Sequence, residues 1–73
     1  MIRVLLKRQL DEKSFREGRT ITLNEVSEKT GISRPTLTRV GNIAGYNTNT
    51  DTIDALCAYF ECTPGDLLIR KEE

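Results

Sequence analysis

The side chains that most often carry enzymatic chemistry are scarce in this sequence. It has 73 residues and no histidine, and its two cysteines, Cys57 and Cys62, lie five positions apart. Two cysteines alone cannot supply the four ligands of a zinc site, and no nucleophile is visibly paired with a base. We therefore expect no enzymatic activity, no cofactor or metal and no small-molecule substrate, and we expect both thiols to be reduced.

A short polar and basic stretch suggests chemistry of another kind, namely contact with DNA; it reads Ser-Arg-Pro-Thr-Leu-Thr-Arg-Val at positions 33–40. On a helix that turns about 100° per residue, Leu37 and Val40 fall within about 60° of each other. The opposite side then carries Pro35, Thr38 and Arg39. Arginine can pair bidentately with guanine, and threonine can contact a base methyl group or a phosphate. The stretch therefore suits the major groove of duplex DNA.

Charge is distributed unevenly along the chain. Lysine and arginine number 11, as do aspartate and glutamate, so the formal net charge is zero. Residues 1–40 contain nine basic and five acidic side chains, a net of +4, whereas residues 41–73 contain two and six, a net of −4. This asymmetry fits a face that approaches an anion and an ordinary solvated surface equally well.

The length and the first residues of the chain favour a single cytoplasmic domain, residues 1–73. A second hydrophobic core could not be built from so few apolar side chains. No run approaches the roughly 20 apolar residues of a membrane span, and the start of the chain is too short and too charged for a secretory leader. We expect no association with a membrane.

Apolar spacing predicts a first helix from residue 2 to about residue 13. The spacings of three and four that define its apolar face belong to Ile2, Leu5, Leu6 and Leu10. The first two or three residues could instead form a short terminal strand. The stretch Ser14–Ile21 is polar apart from Phe15 and contains a glycine, so we expect a loop pinned by that aromatic ring.

The second helix has a capped start and a glycine stop. Thr22 and Glu25 match a capping box, in which the hydroxyl accepts from a backbone amide and the carboxylate reaches back. Ile21 and Val26 bracket the box as a hydrophobic staple. The helix is expected to end before Gly31, because glycine adopts the left-handed conformation without a side-chain clash.

The third helix is expected to begin after Ser33 as its cap. Pro35 lies in the first turn, where its missing amide proton costs nothing, and Ile32 and Leu37 form a second staple. The remaining predicted elements are a glycine- and asparagine-rich loop at 41–48, a fourth helix at 50–60 capped by Asn49, a last helical turn opened by Thr63, a return to the core through Leu67, Leu68 and Ile69, and a charged tail at 70–73.

Two short helices joined by the junction Gly31-Ile32-Ser33 match a helix-turn-helix, here at residues 22–41. Taken one by one, its hydroxyl caps and exposed arginine are ordinary features of a helical surface. The stretch TLNEVSEKTGISRPTLTRV, from Thr22 to Val40, resembles the helix-turn-helix of the lambda repressor and Cro (XRE) family. DTIDALC at 51–57 and TPGDLL at 63–68 resemble that family's fourth and fifth helices. The resemblance spans residues 2–69 and implies an all-α, five-helix, lambda-repressor-like domain.

The resemblance also implies which residues face DNA. The recognition helix would contribute Ser33, Arg34, Pro35, Thr36, Thr38 and Arg39. Thr22 would point toward phosphate, and the loop from Asn42 to Asn47, with Tyr46, would follow the DNA backbone. The sequence departs from the family at Leu23, where glutamine is common, and in the length of the first loop. That loop could add contacts through Arg16 and Arg19, or it could merely decorate the surface.

These observations favour a sequence-specific transcriptional regulator, a repressor, that binds double-stranded DNA as a homodimer. One domain of this size reads only a few base pairs, which is why we expect two copies on half-sites about 34 Å apart. The alternative is an antitoxin or another protein-interaction module, with DNA binding secondary or absent. Zero net charge and the acidic end of the chain favour that alternative modestly.

Overall fold

The computed structural model describes residues 1–72. In this part of the chain, five helices lie between two short strands, and their bounds in chain order are β1 Ile2–Val4, α1 Leu6–Glu17, α2 Leu23–Thr30, α3 Arg34–Asn42, α4 Thr50–Phe60, α5 Pro64–Leu67 and β2 Leu68–Arg70. The predicted five-helix, mainly α fold is confirmed, and so is the short terminal strand that was the alternative for the first residues.

The two strands join the beginning of the chain to its end. They pair antiparallel, with Ile2 opposite Arg70 and Val4 opposite Leu68. The pairing continues beyond the strands, because the terminal amino group of Met1 and the amide of Lys71 each donate to the other residue's carbonyl at 2.8 Å. Strand pairing satisfies backbone groups that a frayed helix start would leave open.

This pairing corrects two predictions from the sequence. Ile2 belongs to β1 instead of the first helix, and its side chain is exposed. Ile69 does not return to the core: it lies in β2 opposite Arg3, and its side chain is 40% exposed. Successive side chains of a strand point to opposite faces, so Leu68 can pack against the core while Ile69 faces outward.

The first helix starts and ends later than predicted, and the expected long loop is wrong. Helix α1 continues through Ser14–Glu17 and ends at Gly18, whose φ of 65° is left-handed. Lys13 Nζ lies 2.6 Å from Glu17 Oε2, an ion pair one helical turn apart that favours continuation. Phe15 is 89% exposed and pins nothing. The polar composition of this segment is that of an exposed helix face, and the loop to α2 comprises only residues 18–22.

The core is formed by the inner faces of all the helices. Its fully buried large side chains are Phe60, Leu37, Leu56, Leu67, Val26 and Val40. The Phe60 ring meets the Tyr59 ring edge to face, with ring centroids 5.0 Å apart. Helix α3 contributes Leu37 and Val40 to this core. It also runs close to α1 at Gly41, where an added methyl group would lie only 3.1 Å from Leu6 Cδ2.

Replacement of Leu37 by alanine tests whether burial holds α3 in place. The Leu37 side chain is fully buried, so Leu37→Ala is expected to lower the free energy of unfolding by about 2–5 kcal/mol. Thr38→Ala changes the next, exposed residue of the same helix and is expected to alter it by no more than about 0.5 kcal/mol. Urea titrations followed by circular dichroism measure both values. Equal losses for the two variants would contradict the packing described here.

Candidate nucleic-acid interface

The turn between α2 and α3 is held by a glycine and by two hydroxyl side chains. Gly31 has a φ of 77°, and its amide donates to the Ser27 carbonyl at 2.9 Å. The Ser27 hydroxyl donates to the Ile32 carbonyl at 2.6 Å. The Thr30 hydroxyl donates to the Val26 carbonyl at 2.7 Å and accepts from the Ile32 amide at 3.3 Å. The turn is therefore fixed by hydrogen bonds on both sides of the glycine.

Ser27 and Thr30 are functional supports that sequence reasoning did not find. The sequence predicted no hydrogen bond from either side chain. The available signal was the position of two hydroxyl residues within four positions of the stop glycine, where they can reach the freed backbone groups. Neither residue is fully exposed, because each hydroxyl points back into the turn.

Helix α3 begins at a capped N-terminus and lies with one face in the core. The amide of Thr36 donates to Ser33 Oγ at 3.4 Å, and Ser33 Oγ donates to Thr36 Oγ1 at 2.8 Å. Leu37 and Val40 are 0% and 1% exposed. The predicted cap and the predicted inner face are both present.

The opposite face of α3 is exposed. It is made of Arg34, Pro35, Thr38, Arg39 and Asn42, while Thr36 is partly buried at its edge. At about 100° per residue these exposed positions cover a continuous arc of about 140°. Five of the ten residues expected at the DNA surface thus lie together on one side of one helix. Thr22 and Ser33 are exposed at the starts of α2 and α3.

A hydrogen bond joins the first turns of the two helices. Arg34 Nη1 donates to Asn24 Oδ1 at 2.9 Å, and both residues are exposed. Leu23, the departure noted in the sequence, packs against the core. The polar side chain that α2 presents beside α3 is therefore the next residue, Asn24, which sequence reasoning did not single out.

Positive charge remains uncompensated on α3. Four basic side chains in residues 1–72 form ion pairs with carboxylates, and they are Arg8, Lys13, Arg19 and Arg70. Arg39 and Arg34 form no ion pair with any of the described residues. An uncompensated guanidinium on an exposed helix face attracts phosphate and can donate to base edges.

Comparison with known protein families identifies the family of this chain. A model of the Cro/C1-type HTH DNA-binding domain matches residues 13–73. The chain belongs to this family. The match contains α2, the turn and α3, and it confirms the resemblance stated from the sequence. No curated protein and no solved structure gives a significant match. The chain is thus a DNA-binding helix-turn-helix protein, of a family that is typically not enzymatic.

The start of α2 in this Cro/C1-type domain differs from the predicted capping box. The Glu25 amide donates to Thr22 Oγ1 at 3.2 Å, as predicted. The Glu25 carboxylate does not reach back to the cap: it accepts from Arg19 Nη1 at 2.9 Å and from the Tyr59 hydroxyl at 3.2 Å. The competing partners are a cation and a hydroxyl, and a charge-assisted bond is stronger than one to a neutral amide.

This carboxylate lies in a network that links α1, α2 and α4. Hydrogen bonding to Arg19 holds the pKa of Glu25 below its ordinary value. Burial raises the pKa of Tyr59, and the Glu25 carboxylate raises it further. Arg19 also donates to Glu17 Oε1 at 3.0 Å, and Arg16 donates to the Phe60 carbonyl at 3.1 Å. Both arginines that could have added DNA contacts therefore bind groups of the protein itself.

The predicted DNA-contacting loop, residues 42–47, consists of the last residue of α3 and a short loop after it. Asn42 is the last residue of α3, not a loop residue as predicted. The Tyr46 ring is partly buried and packs against the core, whereas Asn47 is exposed. Tyr46, Asn47 and Thr36 line one shallow pocket. This pocket borders the exposed face of α3.

In the described residues, no group of three or more histidine, cysteine, aspartate or glutamate side chains could hold a metal ion. None of the helices within residues 1–72 is long and apolar enough to cross a membrane.

Removal of the Ser27 hydroxyl tests its role in the turn. Ser27→Ala leaves the partly buried Ile32 carbonyl without this donor, so the free energy of unfolding should fall by about 1–2 kcal/mol. Ser33→Ala, which removes the cap of α3, is expected to cost a similar amount, about 1 kcal/mol. Ser14 is not a suitable control, because it is partly buried and its hydroxyl accepts from the Ile21 amide. Thr20→Ala, in the exposed loop, is a suitable control. A Ser27→Ala variant as stable as Thr20→Ala would rule out the turn bond.

Proposed function

We propose that this domain is a sequence-specific transcriptional repressor that inserts α3 into the major groove of duplex DNA. One observation carries the proposal: Leu37 and Val40 bury one side of α3, and the opposite side leaves Arg34, Thr38 and Arg39 exposed. A helix of this kind can enter the groove without unfolding any other part of the domain. Repression then follows from occupancy of the operator, without catalysis and without a cofactor.

Base reading is assigned to the outer face of α3. The Arg39 side chain forms no hydrogen bond or ion pair within residues 1–72, so both edges of its guanidinium are open to guanine O6 and N7. Thr38 offers a methyl group and a hydroxyl to the neighbouring base pair. Pro35 and Thr36 shape the leading end of the helix, and the bond from Arg34 to Asn24 fixes the direction of a second guanidinium.

Phosphate contacts are assigned to the helix starts and to the segment after α3. Thr22 and Ser33 lie at N-termini, where free amides and partial positive charge favour phosphate oxygens. Asn42, Tyr46 and Asn47 provide amide and hydroxyl groups along the border of the same face. Contacts of this kind position the domain but carry no sequence information.

Two copies of the domain are proposed to act together. A single α3 contacts too few base pairs for useful specificity, so a homodimer on two half-sites about 34 Å apart is the expected functional unit. Such a dimer places both α3 helices on one side of the duplex, one helical turn apart.

A salt titration on a selected operator tests DNA binding against the protein-interaction alternative. Selection from a random duplex library supplies the site, and fluorescence anisotropy then gives Kd at several salt concentrations. The logarithm of the binding constant should fall linearly with the logarithm of salt concentration, because bound cations release counterions. An interaction module without DNA binding would yield no enriched site and no salt-dependent complex.

Arg39→Ala tests the base-reading role on the same operator. The variant should lose about 1–3 kcal/mol of binding free energy on the preferred site, and it should stop discriminating at one base pair. Arg8→Ala, which removes an exposed α1 arginine paired with Glu12, serves as the control and should bind almost as the parent does. Uniform weakening by Arg39→Ala on all sequences would instead make Arg39 a phosphate contact.

A further inference from the structure

The end of α4 brings the two cysteines of the chain together. Glu61 follows the helix with a left-handed φ of 55°, and its amide donates to the Cys57 carbonyl. The Cys62 amide donates to the same carbonyl at 3.0 Å. In a helix ending of this type, the residue that donates this last bond and the residue that accepts it often bring their side chains into contact. Here these residues are Cys62 and Cys57. That contact is usually apolar, but here it joins two thiols.

The two cysteines differ in their exposure to solvent. Cys57 is buried in the core, and Cys62 is partly buried and lines a surface groove with Arg16, Glu61 and Asp66. Both thiols are free. Burial, with the Cys57 thiol beside it, raises the pKa of Cys62 to about 11. Cys62 is the less buried of the two residues, so solvent reaches its thiol first, while Cys57 lies behind it as a second thiol.

We propose that Cys57 and Cys62 are a site of reversible oxidation, at which a low-molecular-weight disulfide converts the two thiols into one intrachain disulfide. The hydrogen-bonded turn supplies the proximity that disulfide geometry requires. No other thiol lies in the chain, so an internal bond can form only between these two residues. The site is independent of the proposed DNA contacts.

The reaction balances in two exchange steps. Because its pKa is raised, only a small fraction of Cys62 is thiolate at neutral pH, so the first step is slow and becomes faster as the pH rises. Once Cys62 has lost its proton to solvent, its sulfur attacks one sulfur of the external disulfide; a protein–small-molecule S–S bond forms, and the first thiolate leaves and takes up a proton. Cys57 then loses its proton and attacks Cys62 Sγ, which forms the Sγ–Sγ bond and expels the second thiolate. Two protein thiols are oxidised, and one external disulfide is reduced to two thiols.

The position of the site gives the oxidation a structural consequence. A bond between Cys57 and Cys62 links the last turn of α4 to the residue before the α5 cap, Thr63. The same end of α4 carries Tyr59, which donates to Glu25 of α2. Oxidation therefore restrains the C-terminal end of α4, which contacts α2 of the helix-turn-helix.

Thiol mapping by mass spectrometry tests the proposal. The reduced, folded protein is incubated with oxidised glutathione, quenched with acid, alkylated and weighed. The expected product is a monomer two hydrogens lighter than the starting protein, with neither alkylated cysteine nor bound glutathione. The matched control is the double variant Cys57→Ser with Ala58→Cys, which keeps two cysteines but moves one to an exposed position of α4 and away from Cys62.

At one fixed glutathione ratio, the internal disulfide should be favoured over the control by about tenfold or more in its equilibrium constant. The same measurement on the parent protein in denaturing urea should give a smaller equilibrium constant for the internal disulfide. If the control variant does not fold, this comparison of folded and unfolded parent protein tests the proposal instead. A glutathione adduct at Cys62 that persists at equilibrium without conversion to the internal disulfide would overturn the proposal. So would a covalent dimer, or equal disulfide formation in the folded parent and in the control or unfolded chain.

Discussion

Burial of Leu37 and Val40 is the interaction on which the geometry of the site depends. A fully buried valine or leucine contributes about 1.5–3 kcal/mol, whereas a single net hydrogen bond contributes about 1 kcal/mol. The two aliphatic side chains therefore set the rotation of α3 about its axis, and the cap at Ser33 sets only where the helix begins. With Leu37 and Val40 in the core, Thr38 and Arg39 have no direction left except outward.

The turn and the network around Glu25 determine how α2 supports α3. Ser27 and Thr30 bind the backbone on both sides of Gly31, so the angle between the two helices does not depend on the glycine alone. On the far side of α2, Arg19 and Tyr59 both bind Glu25. These ion pairs neutralise the positive charge of Arg19 in the loop, whereas the arginines of α3 form no ion pair with the described residues. The division of the basic half of the chain into paired and unpaired cations was not visible in its net charge.

Local signals allowed most of the fold to be predicted. Thr22, Ser33 and Asn49 each accept from the amide three residues later, as their types and positions indicated. The predicted loop at 14–21 was a local error, because the polar residues of an exposed helix face were interpreted as a loop. Other errors occurred where distant segments meet. Ile2 fits a helix until β2, nearly seventy residues away, offers it a strand partner. The bond between Arg34 and Asn24 likewise depends on the angle between two helices, which spacing along the sequence does not specify.

The claim that the outer face of α3 meets the DNA is tested most directly by nuclear magnetic resonance. Amide signals of the labelled domain are assigned, and a duplex carrying the selected operator is titrated in. The largest shifts are expected at residues 33–42, with further shifts at the amides that start α2 and little change around exposed Phe15 on α1. Shifts concentrated on the outer face of α1, with residues 33–42 unchanged, would contradict it.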